Sequence, residues 1–459
     1  MNASVRVGCK MEVSLHDILN AREQRVRHQK ALLTGYGVPL ICFTMNIAGP
    51  VKTSPLIERG FRAGLKALDS RLPEEWVLHR DVAVADTGCE AIYAVSMAAR
   101  ELKELCTQIE EATPLGRLFD MDVLDTDGKK LERPNLRGCL VCGAPGRGCA
   151  AGRLHPVSQL QEVTEGILVS HFEKSDREKI AGLAVQSLLD EVFTTPKPGL
   201  VDRRNNGSHK DMDTGLFVTS ALSLKPYFEE CVWIGQKMKR LFPEEMFPLL
   251  RQAGLAAEQT MYRATDGINT HKGAIYTFGV LCGSLGRLWS ATKPVGELAD
   301  VLSLCTQLVE NAVEADFSSI DTATAGGRLY LERGLRGIRG EVAAGLPSVA
   351  SISLPVYKAG LKKGLAHNDA GAAALLHLIA AVEDTNLYRR GGEDGAAWAA
   401  NTARELTETC PYPSAAQIES LDDAFIARNL SPGGCADLLA VTYFLYRLEQ
   451  SFGKQCPSG

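Results

Sequence analysis

Two carboxylates, Asp120 and Asp122, lie two residues apart in the apolar segment Gly116–Leu124. Alternation along a strand would point both side chains to the same face, where they could jointly hold Mg²⁺ against a triphosphate. Nucleotidyl transfer needs such an arrangement, because metal ions orient the in-line attack and neutralise the leaving pyrophosphate. The other interpretation is a strand with two solvent-facing acids ahead of a turn at Asp127 and Gly128.

A loop from Asn46 to Lys52 follows a buried strand pattern and precedes a helical one. Backbone amides in such a loop can cradle phosphate, and Lys52 can add positive charge. A strand-to-helix turn punctuated by Gly and Pro explains the same residues without a ligand.

Cys139, Cys142, Cys149 and His155 supply the residue types and part of the spacing of a structural zinc site. One Cys-x-x-Cys pair is present instead of two, and the gaps are shorter than in common zinc fingers. The alternative is a glycine-rich loop with packed thiols and a histidine that lines a site.

The polar segment Glu191–Asp213 is too long for a simple helix connection, and long loops in compact helical domains are usually functional. It places phosphate-binding groups beside acids, which suits a Mg²⁺-triphosphate; a solvated charged loop is the alternative. The candidate phosphate contacts are Lys197, Arg203, Ser208, His209 and Lys210, and the candidate catalytic acids are Asp202, Asp211 and Asp213, the last two also as Mg²⁺ ligands.

The segment Thr265–Ala274 opens a strongly apolar helix, and the amino end of a helix is a ready anion site. His and Lys at a helix start oppose the helix dipole, which favours a ligand-binding role over simple capping by Asn269 or Thr270. The candidate nucleotide contacts here are Asn269, Thr270, His271, Lys272 and Gly273.

Four further acids, Glu341, Asp369, Asp384 and Asp437, lie at expected helix boundaries. Several helix ends can converge on one pocket in a bundle, so Asp369, Asp384 and Asp437 could supply metal ligands or a base. Each also has a helix-end explanation.

Two different scaffolds must position these residues. The first third mixes helical and strand periods and predicts an α+β or α/β domain, whereas helical spacing dominates from Ile180 onward and predicts an all-α domain. The charged stretch Glu173–Lys179 is the expected seam, which gives domains over 1–173 and 177–459. Strands are expected at 38–45, 76–84, 91–97 and 116–124, and helices at 15–33, 54–72, 157–172, 180–193, 214–240, 247–264, 274–289, 295–313, 370–385 and 436–452.

The composition fits a division into two domains and argues against a nucleic-acid-binding, secreted or membrane-spanning protein. A chain of 459 residues exceeds what one core usually supports. The formal net charge of −5 gives no reason to expect a nucleic-acid partner, so a phosphate-bearing ligand must be held locally. Thirteen scattered cysteines, no secretory leader over 1–13 and no apolar stretch long enough to span a bilayer predict a cytoplasmic protein with reduced thiols.

The order of four segments in the first third resembles that of the apo-citrate lyase phosphoribosyl-dephospho-CoA transferases. The segments are Asn46–Lys52, Gly116–Val123, Arg137–Gly143 and Cys149–His155, and the resemblance covers residues 10–172. That family transfers a phosphoribosyl-dephospho-CoA unit from its triphosphate precursor to a serine of the citrate lyase acyl carrier protein, the gamma subunit, and releases pyrophosphate. The expected fold is an α+β, nucleotidyltransferase-like mixed sheet.

The resemblance assigns roles residue by residue. Asp120 and Asp122 become the catalytic Mg²⁺ ligands, and Lys52, Arg117 and Arg137 become phosphate contacts. The family usually reads Cys-Ala-Arg-Ser-Arg where this chain has Cys-Ala-Ala-Gly-Arg over 149–153, so one basic residue of that loop is missing.

From residue 177 to the end, the ordered motifs resemble the triphosphoribosyl-dephospho-CoA synthases. They are Lys-Pro-Gly-Leu-Val-Asp, Gly-Ser-His-Lys-Asp-Met-Asp, Asn-Thr-His-Lys-Gly, Arg-Gly-Glu, Asp-Thr-Asn-Leu and Ser-Pro-Gly-Gly-Cys-Ala-Asp. That family links the ribose of ATP to the 2′-hydroxyl of 3′-dephospho-CoA and releases adenine. A cation-like ribosyl transition state needs a nearby carboxylate and a base for the hydroxyl, and the catalytic candidates are Asp202, Asp211, Asp213, Glu341 and Asp369.

The two resemblances support each other, because the product of the second reaction is the substrate of the first. Two alternatives stay open at this point. The same chemistry could serve a malonate decarboxylase carrier, or the first domain could be a zinc-stabilised module that binds a carrier protein in front of one working synthase.

Overall fold

The computed structural model describes residues 12–133, 135, 137–144, 146–318 and 325–453. The chain divides into two compact units between Lys174 and Ser175. The amino-terminal segment through residue 11, where no secretory leader is expected, lies outside the described residues.

The first unit combines helices with one four-stranded sheet. Short 3₁₀ turns cover Glu74–Trp76 and Pro114–Leu118. The elements are α1 (Leu15–Tyr36), β1 (Leu40–Met45), α2 (Pro55–Asp69), β2 (Val77–Ala85), β3 (Gly88–Val95), α3 (Ala99–Glu111), β4 (Phe119–Leu124) and α4 (Gly146–Gly152), followed by the first part of α5 (Val157–Phe193).

The sheet has the strand order β2-β3-β1-β4, and all three pairs of neighbours are antiparallel. The expected mixed sheet is therefore wrong. Strands β1 and β2 run in the same direction, but β3 lies between them and runs the opposite way, so no parallel pair forms. Within this register Thr44 faces Asp120 and Cys42 faces Asp122.

Strand β4 begins three residues later than expected because Pro114–Leu118 forms a 3₁₀ turn. The Thr113 side chain caps this turn by accepting from the backbone N–H of Gly116. A Cβ at Gly116 would collide with the backbone of Glu110, so the turn packs directly on the end of α3. The turn therefore fixes where the Asp120–Asp122 strand starts.

The core of the first unit lies between the sheet and α2. The Phe43 ring stacks on Phe61, with 4.8 Å between ring centroids, and meets Phe119 edge to face at 5.3 Å. A Cβ at Gly64 would overlap the Phe43 ring, so α2 can approach the sheet closely only with glycine there. Ser54 caps α2 and Pro55 opens it.

The second unit is helical throughout its described residues. A π-helical turn at Val349–Ser353 precedes α13. The helices after α5 are α6 (Thr214–Ser223), α7 (Lys225–Lys237), α8 (Pro243–Ala264), α9 (Lys272–Leu288), α10 (Leu298–Ser318), α11 (Ala325–Arg333), α12 (Gly337–Ala343), α13 (Leu354–Lys362), α14 (His367–Ala381), α15 (Thr385–Thr409), α16 (Ala415–Ala427) and α17 (Gly433–Phe452).

Two expectations about helices are corrected. The two helices expected over 157–172 and 180–193 are one continuous helix, α5, from Val157 to Phe193, although the division between the two units does fall within the charged stretch Glu173–Lys179. The single helix expected over 214–240 is two helices that meet at Leu224, where Pro226 in the first turn of α7 cannot donate a backbone hydrogen bond. Charge alone does not end a helix when its residues favour helical conformation.

Helix α9 forms the centre of the second unit, and its residues from Ala274 to Gly286 are mostly buried. It packs tightly on α7, because a Cβ at Gly235 would collide with the carbonyl oxygen of Gly283. This close contact lies in the carboxyl-terminal half of α9, and the candidate segment 269–273 lies at the opposite end of the helix.

None of the helices in the described ranges combines the length and the apolar character needed to cross a membrane.

Candidate functional site

A large cavity of about 1000 Å³ opens in the second unit. This volume is at the upper end of the range of small-molecule sites. The amino ends of α9, α15 and α17, helix α12 and the loop after α5 surround it. The sequence-predicted residues that line it are Lys197, His209, Asn269, Thr270, His271, Lys272, Gly273, Glu341, Asp384 and Asp437.

The loop after α5 is held by two buried carboxylates. Asp202 accepts from the backbone N–H groups of Lys197 at 2.9 Å and Arg204 at 2.7 Å. Asp422, from α16, accepts from the Gly199 N–H at 2.8 Å and from the Arg204 guanidinium at 2.6 Å. Both carboxylate oxygens of Asp202 thus accept from backbone N–H groups. The residue organises the loop and does not line the cavity.

Lys197 is bound inside this loop. Its side chain is 1% exposed, and its Nζ donates to Glu191 Oε1 at 2.5 Å and to the Glu191 carbonyl oxygen at 2.7 Å. Burial raises the pKa of Glu191, and the positive charge of Lys197 opposes that rise. The pair therefore forms a fixed, buried ion pair in the wall of the cavity.

His209 connects the loop to α15 and to the segment before α17. Its ring nitrogens pair with Ser431 Oγ at 2.9 Å and with the Arg390 guanidinium at 3.2 Å. Desolvation, with the charge of Arg390, lowers the pKa of His209 to about 4. The neighbouring Ser208 hydroxyl donates to the Leu430 carbonyl at 2.7 Å and so serves the loop instead of the cavity.

His271 is the most buried polar group at the start of α9. Thr270 Oγ1 donates to Ser220 Oγ at 2.7 Å, and Ser220 Oγ lies 2.8 Å from His271 Nδ1. Because the Ser220 oxygen already accepts from Thr270, its own proton is free to go to Nδ1, which leaves the imidazole proton on Nε2. Nε2 has no partner among the described residues, and burial lowers the pKa of His271 to about 3.

The other members of segment 269–273 shape the entrance. Asn269 Oδ1 accepts from the Lys272 N–H at 3.2 Å, and Lys272 Nζ lies 2.8 Å from Glu258 at the surface. A Cβ at Gly273 would collide with the Asp437 carboxylate. Glycine at this position therefore keeps the space beside Asp437 open.

The carboxylates that line the cavity include Glu191, Asp384 and Asp437. Asp384 accepts from the N–H groups of Asn386 at 2.7 Å and Cys435 at 2.8 Å, so one side chain caps both α15 and α17. Asp437 is half-buried, and no protein hydrogen bond to its carboxylate is found within the described ranges. Burial raises the pKa of Asp437 well above its usual range, and the charges of Glu191 and Asp384 act in the same direction.

Glu341 also lines the cavity, where its carboxylate accepts from Ser348 Oγ at 2.6 Å. Arg389 and Arg390, at the start of α15, add positive charge to the same wall. The residues that sequence reasoning missed here are Ser220 and Ser348, which carry no motif. Ser220 bonds to His271, 51 residues away in the chain, and Ser348 bonds to Glu341, seven residues away.

The remaining predicted residues lie away from the cavity wall. Asp213 caps α6 by accepting from the Leu216 N–H at 2.8 Å, Lys210 and Asp211 are exposed, and Asp369 is exposed near the start of α14. Arg203 lines a separate pocket of about 170 Å³. Asp211 and Asp213 join no cluster of three metal-ligating side chains within the described part of the chain.

In the first unit, Asp120 and Asp122 project from the same face of β4, as alternation requires. Lys130 Nζ lies 2.5 Å from Asp122. The Asp120 side chain is exposed, but the protein around its carboxyl group still desolvates it, and this desolvation together with the charge of Asp122 raises the pKa of Asp120. A cation between the two carboxylates would relieve that repulsion.

Arg117 and Arg137 flank this strand and hold the following segment in place. Arg137 donates to the Phe119 carbonyl at 2.6 Å and forms a 3.0 Å ion pair with buried Glu110. Arg117 donates to the Gly138 carbonyl at 2.7 Å. Glu110, which also accepts from the Met121 N–H at 2.8 Å, was missed from the sequence because a glutamate in a helix carries no positional signal.

Lys52 lies in its own loop, where Nζ donates to the Ile47 carbonyl at 2.5 Å. Desolvation and the charge of Arg22 lower the pKa of Lys52. A second lysine, Lys103 of α3, is buried next to β4 and donates to the Met121 carbonyl at 3.1 Å. Lys103 was also missed, because sequence patterns predicted no helix over 99–111 and a lysine in a charged stretch carries no positional signal.

The four residues of the predicted zinc site come together. The ligand atoms of Cys139, Cys142, Cys149 and His155 all lie within 4.8 Å of one another. The structure thus brings together the residue types that hold a tetrahedral metal ion.

Comparison with known proteins adds family matches for each part. Residues 177–456 match the family described as ATP:dephospho-CoA triphosphoribosyl transferase, and residues 13–171 match apo-citrate lyase phosphoribosyl-dephospho-CoA transferase. Protein CitXG of Haemophilus influenzae is 35% identical, over 94% of this chain and 96% of its own. Protein CitXG of Leuconostoc mesenteroides subsp. cremoris is 31% identical, over 96% and 98%. The 2-(5''-triphosphoribosyl)-3'-dephosphocoenzyme-A synthase of Pectobacterium atrosepticum is 41% identical, over 62% of this chain and 94% of its own.

Proposed function

This chain belongs to the CitXG family and, over residues 177–456, to the ATP:dephospho-CoA triphosphoribosyl transferase family, and we propose that it makes and attaches the prosthetic group of citrate lyase. The second unit converts ATP and 3′-dephospho-CoA to 2′-(5″-triphosphoribosyl)-3′-dephospho-CoA and adenine. The first unit then transfers the phosphoribosyl-dephospho-CoA group to a serine of the citrate lyase acyl carrier protein, the gamma subunit, and releases pyrophosphate.

The cavity of the second unit is the observation that carries this proposal. It joins cationic side chains, Arg389 and Arg390, to a group of buried carboxylates in a space large enough for a nucleotide. Cations suit the triphosphate, and a carboxylate suits the ribosyl carbon, which gains positive charge as adenine leaves.

Asp437 is proposed as the base of the ribosyl transfer. Its raised pKa favours acceptance of the proton from the 2′-hydroxyl of dephospho-CoA, and its carboxylate is not engaged by protein donors within the described residues. The 2′-oxygen then forms a bond to C1′ of the ATP ribose while the bond from C1′ to N9 of adenine breaks. The electron pair of that bond stays on adenine, which takes up one proton, so the proton lost by the 2′-hydroxyl is balanced. The N–H at Nε2 of His271 is proposed as a hydrogen-bond donor to the nucleotide, since it is buried at the cavity wall without a protein partner in the described part.

In the first unit we propose a nucleotidyltransferase-type site at β4. Asp120 and Asp122 fit a Mg²⁺ ion, because they project from one strand face, and desolvation together with the charge of Asp122 raises the pKa of Asp120. When bound, the ion would neutralise charge on the triphosphate. Arg117, Arg137 and Lys52 are the proposed phosphate contacts of this unit, and Arg137 is oriented by its ion pair with Glu110.

The experiment that tests the proposal measures adenine by chromatography after incubation of the chain with ATP, dephospho-CoA and Mg²⁺. Adenine should appear in proportion to a new dephospho-CoA adduct, and apo carrier protein should then trigger pyrophosphate release. Asp437→Asn should abolish adenine release, whereas Asp394→Asn, an exposed acid of the same unit that does not line the cavity, should not change it. ADP as the product, or equal loss in both variants, would contradict the proposal.

Two matched families in one chain favour two working enzymes over a carrier-binding scaffold in front of a single synthase. The proposed location is the cytoplasm, since every described cysteine is a free thiol.

A further inference from the structure

The segment from Arg137 to His155 folds around the Cys/His cluster instead of around an apolar core. Helix α4 has seven residues and is rich in glycine, which weakens a helix. Among its described side chains, Cys149 is the one that is buried. Apolar burial therefore contributes little to the stability of this segment, and another interaction must hold it.

The distances within the cluster match those around a tetrahedral zinc ion. Cys142 Sγ lies 3.4 Å from Cys149 Sγ and 3.3 Å from His155 Nε2. Zinc bonds of the usual length put two sulfur ligands roughly 3.8 Å apart and a sulfur and a nitrogen roughly 3.5 Å apart. The sulfur atoms are too far apart for a disulfide, whose S–S bond is about 2.05 Å.

The backbone around the first two cysteines also has the form of a metal-binding turn. The Val141 N–H points to Cys139 Sγ at 3.4 Å, and the Gly143 N–H donates to the Cys139 carbonyl at 3.0 Å. Gly143 has φ of 73°, which glycine adopts without strain. An N–H directed at sulfur stabilises a thiolate, the form in which cysteine binds a metal.

We propose that Cys139, Cys142, Cys149 and His155 bind one zinc ion in a closed structural site that holds residues 137–155 against strand β4. All four positions of the tetrahedron are protein ligands, so no position is open for a substrate or a water molecule. Arg137 and the Gly138 carbonyl, which contacts Arg117, belong to the held segment. The ion thereby positions both arginines beside Asp120 and Asp122.

Metal analysis of the full chain tests this inference directly. The chain is purified without a metal-affinity step, supplied with Zn²⁺, dialysed and analysed by mass spectrometry of the elements. About one zinc per chain is expected for the wild type and for Cys410→Ser, a matched change of a free cysteine in the second unit. Cys142→Ser and Cys149→Ser should lose the ion to a mild chelator. A wild type without zinc, or full retention by both variants, would overturn the proposal.

Cobalt gives a second measurement that does not depend on how the variants fold. The wild type reconstituted with Co²⁺ should show the strong visible bands of a tetrahedral ion and a thiolate charge-transfer band; weak octahedral bands would overturn the assignment.

The positioning role is tested separately by the two reactions of the chain. Cys149→Ser should reduce pyrophosphate release at least tenfold and leave adenine formation unchanged, because the ligands lie in the first unit. Loss of zinc with unchanged pyrophosphate release in Cys149→Ser would refute that role. Metal content does not depend on either activity, so it would stand even if the proposed reactions were wrong.

Discussion

Replacement of Lys197 by methionine should destabilise the second unit strongly. Methionine has nearly the length of lysine but no charge, so the change leaves the Glu191 carboxylate buried without its ion-pair partner. Both side chains are nearly inaccessible, at 1% and 8% exposure, so water cannot replace the lost contact. The Glu191 carbonyl also loses the hydrogen bond of 2.7 Å from the lysine.

The size of the effect follows from this burial. Removing one partner of a buried ion pair costs about 3–5 kcal/mol, because the remaining charge has no compensation. Replacing both partners by apolar residues avoids that penalty, so Lys197→Met with Glu191→Leu should recover most of the loss. The single change would remove a large fraction of the roughly 5–15 kcal/mol that stabilises a typical folded protein.

The assay is urea unfolding followed by tryptophan fluorescence, since Trp233, Trp289 and Trp398 all lie in the second unit. Lys210→Met is the matched control, because Lys210 is an exposed lysine of the same loop and should shift stability by no more than about 0.5 kcal/mol. A loss below about 1 kcal/mol for Lys197→Met, or a double variant no more stable than the single one, would refute the reasoning about the buried pair.

Three further changes separate the roles of individual residues. Gly273→Ala should reduce adenine release at least tenfold, because the added Cβ would occupy the space of the Asp437 carboxylate. The control is Gly182→Ala, which should leave activity unchanged because nothing lies within 4 Å of its added Cβ. Burial lowers the pKa of His271 to about 3, so the folded state resists protonation of this imidazole. The free energy of unfolding of the wild type, relative to that of His271→Gln, should therefore fall by about 1.4 kcal/mol for each pH unit below about 6.5. Urea unfolding from about pH 7 to about pH 4 measures this difference. A stability difference that stays constant over that pH range would contradict the conclusion that His271 is buried and neutral. Asp120→Asn should remove pyrophosphate release and spare adenine formation, and loss of both would show that the two reactions are not carried by separate units.

Sequence patterns predicted the helical second unit and the strands of the first, because apolar periodicity records which face of an element is buried. They did not predict the antiparallel sheet, since neighbour relations such as β1 with β3 depend on contacts between distant segments. The start of strand β4 was also predicted too early, near residue 116, because the capped 3₁₀ turn that precedes the strand contains apolar residues, as a strand would.

For the candidate site, short ordered motifs found the segment 269–273 and the Cys/His cluster, because their spacing is local. Asp202 and Asp213 were grouped with catalytic residues because loops rich in Asp look alike whether the acids bind backbone or ligand. The structure separates them: Asp202 accepts backbone N–H groups, and Asp213 caps a helix. Ser220 could not be found from the sequence, because its role depends on its distance to His271.

The double cap formed by Asp384 has a consequence for how nucleotide preference could change during evolution. Its carboxylate already occupies the amino ends of α15 and α17, where a phosphate would otherwise compete for the same N–H groups. If the cavity holds the nucleotide as proposed, selection among nucleotides falls to side chains such as Arg389 and Arg390, which line the cavity and can be changed by single substitutions. Nucleotide specificity at the proposed site can therefore change by substitution of these side chains, without a change of fold.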